Sequence, residues 1–439
     1  MKLNRDEVLS TANGKTIKII DFLGDGGQGE VYLAEMDNHQ YALKIYKDDV
    51  SSDFWYNLKN NVSKGSPSNS FLWPLEIVEV EDKGIYGYLM EVRGKEYKSF
   101  VSYLNGKNRF KDVRTMLDWC INLCCSFKLL HEKGFSYQDL NDGSFFFNPD
   151  NGDLLICDND NVCANKKNLG ILGKMRYMAP EIVRGDIDSS TGVQQMPDVH
   201  SDRFSLAVIL FMTLCMGHPY EGETMRNYDI IDEIAELEMY GKNPIFVYHK
   251  LDKSNRPVRG YHHSLIRRWP LIPMYLKEAF HETFVDGLVD RENSRITEIE
   301  WIKLLSQYRD SLVTCPDCGY QYDYFLDKHS PRTHCPICNH IKPTLGVLTI
   351  GKKKVVLEPG VRLYQPHVDK YSSLYNNKIG EVIVNKKNPN LWGIRMINND
   401  EIILTDSSGN QKIITTNGVI PIIRNLTIKF NETIEGEIK

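Results

Sequence analysis

Six aspartates fall between residues 137 and 163, in the stretch YQDLNDGSFFFNPDNGDLLICDNDNVC. Two strand-like runs, SFFF and DLLIC, flank NPDNGD, whose Asn-Gly pair is a strong signal for a hairpin turn. Such a hairpin would bring Ser144 opposite the neighbourhood of Asp158, with Asp139 and Asp142 on the same rim. Clustered carboxylates repel one another, so they are stable together mainly when a divalent cation neutralises them. The stretch therefore predicts a metal site at the open end of the hairpin.

A second candidate site is the glycine-rich stretch GDGGQGEV, with Gly24, Gly26 and Gly29. It lies between the strand-like runs TIKIIDFL and VYLAE, so a β-hairpin is favoured over the helix that a dinucleotide-binding fold requires. Glycines there allow backbone amides to approach a polyphosphate without a Cβ clash. Lys44 follows on a third strand-like run, YALKIYK, where it faces inward among apolar neighbours. A cation in that place needs an anion, and together these features indicate a nucleotide site.

Four of the ten cysteines form two C-x-x-C pairs that are sixteen residues apart. This spacing is typical of a zinc ribbon, and each pair lies in a short knuckle, CPDCG or CPICN. Four thiolates complete a tetrahedral shell with no open position, so the predicted Zn²⁺ is structural rather than catalytic. The predicted ligands are Cys315, Cys318, Cys335 and Cys338.

Composition and charge limit which partners and which cellular location we expect for the chain. A net charge of −5 over 439 residues gives no global attraction to nucleic acid, so nucleic-acid binding is not expected. The start, MKLNRDEVLS, lacks the apolar region of a secretory signal. The apolar run at 204–217 is shorter than the roughly 20 residues that span a bilayer and predicts a buried core helix. With cysteine usage that fits a reducing compartment, we expect a cytoplasmic protein without a membrane contact.

Three zones of different texture follow one another along the chain. Residues 16–312 mix strand-like runs with helical periodicity, residues 313–343 hold the cysteine pairs, and residues 344–439 consist of short β runs separated by Gly, Asn and Asp turns. The sequence thus predicts a first domain at 1–312, a zinc ribbon at 313–343 and an all-β, sandwich-like domain at 344–439.

Taken in order, these motifs resemble those of the eukaryotic-type (Hanks-type) serine/threonine protein kinases. The glycine loop, Lys44, Asp139 and Asp158 are followed by GKMRYMAPE, then by Asp202 before the long apolar run and by Arg295 far downstream. The resemblance covers about residues 16–312. It implies an α+β protein-kinase fold, with a β-rich N-lobe at about 16–92 and an α-helical C-lobe at about 93–312.

The resemblance also implies roles for individual residues. The glycines would cover the phosphates of ATP, Lys44 would contact the α- and β-phosphates, Asp139 would accept or orient the proton of the substrate hydroxyl, and Asp158 would hold Mg²⁺ or Mn²⁺. In the family the Asp before the long helix anchors the catalytic loop, and the downstream Arg pairs with the A-P-E glutamate. The other nucleotide-binding residues that it implies are Val31, Ala42, Glu91, Val92 and Ser144.

The chain departs from the family pattern at four places. YQD replaces H-R-D, so the arginine that clamps a phosphorylated activation segment is absent, and residues 161–178 hold no Ser or Thr. Ser144 replaces the catalytic-loop asparagine, and DND at 158–160 replaces D-F-G. The helix expected after Lys44 has no glutamate to pair with that lysine. The predicted Mg²⁺ ligands are therefore Asp158 with help from Ser144, Asp142 and Asp160.

Two functions remain open at this stage. The retained lysine and acids favour an active, atypical serine/threonine kinase, whereas the departures leave a nucleotide-binding pseudokinase scaffold as the alternative. The DNDN run is also similar to that of a bacterial kinase group found beside a PP2C-type phosphatase and a von Willebrand A-type protein in stress and tellurium-resistance clusters, which suggests those two partners. The last zone resembles, faintly, forkhead-associated domains.

Overall fold

The structure is a computed structural model that divides into two compact units. It describes residues 3–11, 14–80, 83–167, 169–170, 173–325, 332–372, 374–397 and 401–439. Unit 1 comprises Met1–Phe110, Ser126–Ile266 and Phe280–Glu298, and unit 2 comprises Lys111–Cys125, Arg267–Ala279 and Ile299–Lys439. The sequence-based domain boundaries stay a prediction.

Unit 1 opens with an antiparallel sheet whose two faces bury different cores. Because side chains alternate along a strand, Leu43 and Ile45 enter one core, and Ala42 and Lys44 point to the other face, where Leu58 of the first helix also packs. The elements are β1 (Val8–Ser10), β2 (Thr16–Asp25), β3 (Gly29–Met36), β4 (His39–Tyr46), α1 (Ser52–Lys64), β5 (Glu76–Val80) and β6 (Ile85–Glu91). The strand order is β1-β2-β3-β4-β6-β5.

Helix α1 confirms the helix expected after Lys44. It begins after Ser51, whose side chain accepts a hydrogen bond from the Phe54 N–H, and ends at Gly65, which adopts a φ of +70°. A cap residue that satisfies a free N–H and a glycine at positive φ are the usual ends of an α-helix.

The central part of the chain is mainly helical. Helix α5, Val199–Cys215, is buried along nearly its whole length and confirms the predicted core helix. None of the helices in the described residues is long and apolar enough to cross a membrane. The other elements of this part are β7 (Lys98–Ser99), α2 (Phe100–Leu104), α3 (Val113–Glu132), β8 (Phe135–Ser136), β9 (Phe145–Phe147), β10 (Leu154–Ile156), β11 (Cys163–Ala164), α4 (Pro180–Arg184), α6 (Glu233–Glu236), α7 (His263–Arg268), α8 (Met274–Phe284) and α9 (Glu298–Ser311).

The aspartate-rich hairpin forms as the sequence predicts. Strands β9 and β10 pair with Phe145 opposite Ile156, and Gly152 in the turn adopts a φ of +75°. The Cys157 N–H donates to the Ser144 carbonyl at 2.9 Å, so the two outer ends of the hairpin meet.

Unit 2 carries a β-rich region whose two sheets share one apolar core, represented by Leu348 in one sheet and Ile394 in the other. The sheet orders are β15-β14-β23-β22-β19-β20 and β16-β17-β18-β21. One short helix interrupts the all-β pattern that the sequence predicts, and the likeness to forkhead-associated domains stays a prediction. The elements are β12 (Leu312–Thr314), β13 (Gln321–Asp323), β14 (Gly346–Ile350), β15 (Lys353–Leu357), β16 (Arg362–Tyr364), α10 (Gln365–Val368), β17 (Lys378–Val384), β18 (Trp392–Met396), β19 (Ile402–Thr405), β20 (Gln411–Ile414), β21 (Val419–Pro421), β22 (Leu426–Lys429) and β23 (Glu435–Ile438).

Two buried charge networks in unit 1 hold the loops that carry the candidate site. The Arg295 guanidinium donates to both carboxylate oxygens of Glu181 at 2.8 and 2.7 Å, which is the pair that the family resemblance implies. His131 lies between two other carboxylates, with its Nε2 3.0 Å from Asp202 Oδ2 and its Nδ1 3.0 Å from Glu298 Oε1. Asp202 Oδ2 also accepts a hydrogen bond from the backbone N–H of Tyr137, two residues before Asp139, at 2.7 Å.

The two neighbouring carboxylates determine the charge of His131. Burial lowers the pKa of His131, but the hydrogen bonds to Asp202 and Glu298 outweigh burial and raise that pKa to about 9. An unfolded histidine has a pKa near 6.5, so the folded state binds the proton more tightly. The resulting stabilisation is complete below about pH 6.5 and is lost as the pH rises through about 9.

We therefore predict that His131→Gln flattens the pH dependence of stability. The wild-type free energy of unfolding should fall by up to about 3 kcal/mol more than that of the variant between pH 6.5 and pH 9.5, because each pKa unit corresponds to about 1.4 kcal/mol. Urea unfolding at a series of pH values measures this difference. His263→Gln, at an exposed histidine, is the matched control and should retain the wild-type slope. Equal slopes for wild type and His131→Gln would contradict a buried imidazolium.

Candidate active site

The glycine-rich turn joins β2 to β3 and closes tightly over β4. The Gly26 N–H donates to the Gly29 carbonyl at 2.9 Å, and Gly24 pairs with Val31 across the hairpin. A Cβ on Gly29 would collide with the Ile45 carbonyl oxygen on β4. Glycine is therefore required at position 29 by the close approach of two strands, and the turn remains bound to the strand that carries Lys44.

Lys44 is 5% exposed and lies between two acids of the DND motif. Its Nζ is 2.7 Å from Asp160 Oδ2 and 3.6 Å from Asp158 Oδ1. Gln28, in the glycine-rich turn, accepts a further and longer hydrogen bond from this ammonium at 3.4 Å. Burial lowers the pKa of Lys44, but the two carboxylates outweigh burial and raise it, so the lysine stays charged.

Asp160 is the partner that replaces the missing helix glutamate. Its side chain is fully buried, and its Oδ2 also accepts a hydrogen bond from the Tyr46 hydroxyl at 2.7 Å. Among the described residues, Asp160 Oδ1 has no hydrogen-bond partner. The sequence-based role of Asp160 as a Mg²⁺ ligand stays a prediction, while the observed role of its Oδ2 is to bind Lys44 and Tyr46.

Two neutral side chains of helix α1 form hydrogen bonds with the segment that follows Asp160. The side-chain amides of Asn57 and Asn61 both donate to the Val162 carbonyl, at 2.8 and 2.7 Å. Both asparagines are buried. These two amides join the helix to the segment and fix the backbone from which Asp160 projects.

Residues 139–144, which we call the catalytic loop, position Asp139 next to an amide. The Asn141 side chain donates to Asp139 Oδ1 and to the Asp139 carbonyl, both at 3.1 Å. Burial raises the pKa of Asp139, while Asn141 and Lys174 lower it and Asp158 adds to the rise. The net effect is a raised pKa, which makes Asp139 a stronger base than an ordinary aspartate.

Asp158 and Ser144 differ in their access to a ligand. Asp158 has a side chain that is 46% exposed and a left-handed backbone with φ 56° and ψ 40°, a conformation that is uncommon for residues other than glycine. Ser144 is fully buried, and its hydroxyl lies 3.5 Å from the Asp139 carbonyl. Asp142 is paired with Lys174 at 3.2 Å. Of the predicted Mg²⁺ ligands, Asp158 has the most accessible carboxylate.

A neutral side chain makes one of the contacts of the activation segment, residues 161–178. Gln138, in the place of the family's arginine, is buried and donates its amide to the Lys167 carbonyl. Tyr177, which has the single hydroxyl in this segment, is 2% exposed. The Tyr177 hydroxyl is therefore not presented at the surface of the segment.

Strand β6 lies directly beside β4, the strand that carries Lys44. Met90 on β6 pairs with Ala42 on β4, and Lys44 pairs with Tyr88. Glu91 and Val92 follow at the end of β6 and are exposed. This register places Glu91 on the same sheet as Val31 and Ala42, and Val92 comes directly after the strand. Their contacts with a nucleotide stay predictions.

The four predicted zinc ligands come together in unit 2. One sulfur from each lies within 4.8 Å of the others, with Sγ atoms 3.5 Å apart for Cys315 and Cys338 and 3.7 Å apart for Cys318 and Cys335. These separations are far beyond a disulfide bond of about 2.05 Å. They are close to the ~3.8 Å between sulfurs of a tetrahedron with Zn–S bonds of ~2.3 Å. The donor set therefore fits Zn²⁺.

The thiolate form is also favoured at one of these cysteines. Burial raises the pKa of Cys315, but the backbone N–H groups of Cys318 and Asp317 outweigh burial and lower that pKa to about 7. Backbone amides that face a sulfur in a knuckle stabilise the thiolate, which is the form that binds zinc.

Sequence reasoning missed two groups in the site. Lys174 lies beside Asn141 and Asp142, and Asn57 donates to the Val162 carbonyl. A signal for the lysine was present, because residues 139–144 hold no Lys or Arg while GKMRYMAPE supplies Lys174 and Arg176. No comparable signal marked the asparagines, because their target is a backbone carbonyl.

Comparisons with known proteins agree with the geometry. Over 341 residues the chain is 25% identical to "Protein kinase YegI" of Escherichia coli K12, which covers 75% of this chain and 49% of that protein. It is 28% identical over 233 residues to "Serine/threonine-protein kinase PknF" of Mycobacterium tuberculosis, covering 48% and 45% of the two chains. It is 22% identical over 275 residues to "Serine/threonine-protein kinase PknD" of Chlamydia trachomatis, covering 52% and 28%. The chain thus spans about half, or less, of the length of these relatives.

The family model for the protein kinase domain matches residues 17–297, which is more than half of the chain. The matched residues include the glycine-rich turn, Lys44, Asp139 and Asp158. By this match and by the arrangement of these groups, the chain belongs to the protein kinase domain family.

Proposed function

We propose that this chain is an active serine/threonine protein kinase that transfers the γ-phosphoryl group of ATP to a protein hydroxyl. The observation that carries the proposal is the charged Lys44, buried against Asp160 with its Nζ 3.6 Å from the accessible Asp158. A buried lysine without a nearby anion would lose its proton, so this arrangement preserves a cation for phosphate.

The residues divide the work of the transfer. The oxygen of the acceptor hydroxyl forms a bond to the γ-phosphorus, and the bond from that phosphorus to the β,γ-bridging oxygen breaks, so ADP leaves with the electron pair. The hydroxyl proton passes to Asp139, whose raised pKa makes it a stronger base than an ordinary aspartate. Lys44 and the glycine-rich turn hold the phosphates, and Glu91 and Val92 offer backbone groups to adenine.

A divalent cation, Mg²⁺ or Mn²⁺, would neutralise phosphate charge in this site when bound. Asp158 is the proposed main ligand, because its carboxylate is accessible and lies next to Lys44. Ser144, Asp142 and Asp160 are the proposed additional ligands. For Asp160 a metal would have to use Oδ1, since Oδ2 is already shared by Lys44 and Tyr46.

The proposed enzyme needs no phosphorylation of its activation segment. Gln138 carries no charge with which to bind a phosphate, and its amide already holds the segment through the Lys167 carbonyl. In addition, α1 is fastened through Asn57 and Asn61. These neutral contacts support a site that is assembled as the chain folds.

The alternative function is a nucleotide-binding scaffold without transfer activity. The fully buried Ser144 hydroxyl favours it, because a group that already faces the Asp139 carbonyl is a poor second metal ligand. The β-rich region and the cysteine cluster of unit 2 would then serve as docking elements. For either function we propose a PP2C-type phosphatase and a von Willebrand A-type protein as partners in the cytoplasm, on the basis of the family resemblance.

Replacement of Asp139 tests the transfer directly. Asp139→Asn removes the proton acceptor and should lower the rate of phosphate transfer by roughly 10²- to 10⁴-fold while leaving ADP affinity unchanged. Mass spectrometry of the protein and of casein after incubation with Mg-ATP measures the transfer, and calorimetric titration measures ADP affinity. Asp150→Asn, in the exposed hairpin turn, is the matched control. Phosphate transfer that is absent in wild type, or equal in Asp139→Asn, would favour the scaffold.

Replacement of Asp160 separates its two proposed roles. Asp160→Asn removes the negative charge beside Lys44, so ADP affinity measured in EDTA should change by about 10-fold, as expected for the loss of a charge-assisted hydrogen bond. A residue that serves only as a metal ligand would instead alter the Mg²⁺ requirement and leave the metal-free affinity unchanged. Tyr46→Phe should give a smaller effect, and Asp186→Asn, in an exposed pair with Arg184, should give none.

Removal of the metal tests the cysteine cluster. One zinc ion per chain is expected by elemental analysis, and Cys318→Ser or a chelator should remove it and lower the thermal stability of the β-rich region. ADP affinity should remain, because Lys44 and the glycine-rich turn belong to unit 1. Cys215→Ser, at a buried cysteine outside the cluster, should retain the zinc. A full complement of zinc in Cys318→Ser would refute the assignment.

A further inference from the structure

Lys174 places a positive charge at the catalytic loop. Its Nζ lies 3.1 Å from Asn141 Oδ1 and 3.2 Å from Asp142 Oδ1. Its backbone N–H and its charge both lower the pKa of the Asp139 carboxylate. The backbone of Lys174 therefore lies close to the proposed base, and its side chain, 58% exposed, remains accessible at the surface of the site.

The catalytic loop itself has no cation. Residues 139–144, DLNDGS, include two acids and no Lys or Arg. The groups whose charge acts most strongly on Asp139 are Lys174 and Asp158, and they act in opposite directions. Lys174 is therefore the cation that the loop obtains from a segment thirty residues further along the chain.

Phosphoryl transfer needs such a cation near the base. Charge in the transition state is spread over the equatorial oxygens of the transferring phosphoryl group, and cationic side chains placed there supply much of the catalysis. Lys44 cannot meet this need alone, because it is buried and its ammonium is already paired with Asp160 and Asp158. Lys174 is exposed, and exchange of its contacts with Asn141 and Asp142 would free its ammonium for an anion.

We propose that Lys174 is a further catalytic residue, whose ammonium binds the γ-phosphoryl group as that group passes from ATP to the acceptor hydroxyl. This inference rests on the proposed kinase function. In the step, the acceptor oxygen bonds to the γ-phosphorus, the bond to the bridging oxygen of ADP breaks with its electron pair, and the hydroxyl proton moves to Asp139. Lys174 exchanges no proton and forms no covalent bond.

A purely structural role would give Lys174 different properties. A surface ion pair with Asp142 holds the loop in place and gives no preference between nucleotides. A contact with the γ-phosphoryl group distinguishes a triphosphate from a diphosphate, because ADP lacks that group. The ratio of the two affinities therefore separates catalysis from loop support without any measurement of turnover.

The experiment compares Lys174→Gln, Lys174→Arg and a control, Lys166→Gln, which removes the same charge from an exposed site in the same segment. Calorimetric titration with Mg-ADP and with the β,γ-imido analogue of Mg-ATP gives the affinity ratio for each protein. Transfer from Mg-ATP to casein, and autophosphorylation, give the rates. Thermal unfolding verifies that each variant is folded.

In Lys174→Gln we expect affinity for the imido analogue to fall by about 10-fold, with ADP affinity unchanged, and the transfer rate to fall by roughly 10²-fold. Lys174→Arg should recover most of both losses, and Lys166→Gln should match wild type. An equal loss for both nucleotides, or no loss beyond that of Lys166→Gln, would overturn the inference while an active wild type left the kinase function intact. A wild type that transfers no phosphate would overturn both.

Discussion

The buried ion pair between Lys44 and Asp160 is the contact on which the site depends. Taking a lysine out of water costs several kcal/mol unless a carboxylate faces it at close range. Asp160 provides that carboxylate from a position 116 residues further along the chain, and the Tyr46 hydroxyl shares the same oxygen. The sheet, the aspartate hairpin and the segment after it must all be in place before this pair can form. An assembled pair is thus a mark of an assembled site.

Other buried groups fix the loops around that pair in a similar way. Asp202, with His131, holds the backbone at the start of the catalytic loop, and Arg295 holds Glu181 at the end of the activation segment. Asn57 and Asn61 perform the same task for α1 with neutral amides. Charged groups therefore hold the start of the catalytic loop and Glu181. Neutral amides hold the single carbonyl of Val162.

Much of this arrangement could be predicted from the sequence, and the reasons are local. An Asn-Gly turn between two apolar runs determines the hairpin at 145–156, and alternation along β4 determines that Lys44 points inward. The spacing of the cysteine pairs likewise determines that four sulfurs meet. What could not be predicted is the choice of partner across the fold. The pairing of Asp160 with Lys44, and the contacts of Lys174 with the catalytic loop, join distant parts of the chain, and only the tertiary structure determines which distant groups become neighbours.

The amide of Gln138 has a consequence for how such an enzyme would be governed in a cell. A phosphate brings nearly two negative charges and three acceptor oxygens, which an arginine recognises and an amide does not. A phosphate added near this amide would therefore meet no charged partner at this position. In the proposed kinase, control of output would have to reside in some feature other than the contact between Gln138 and the Lys167 carbonyl.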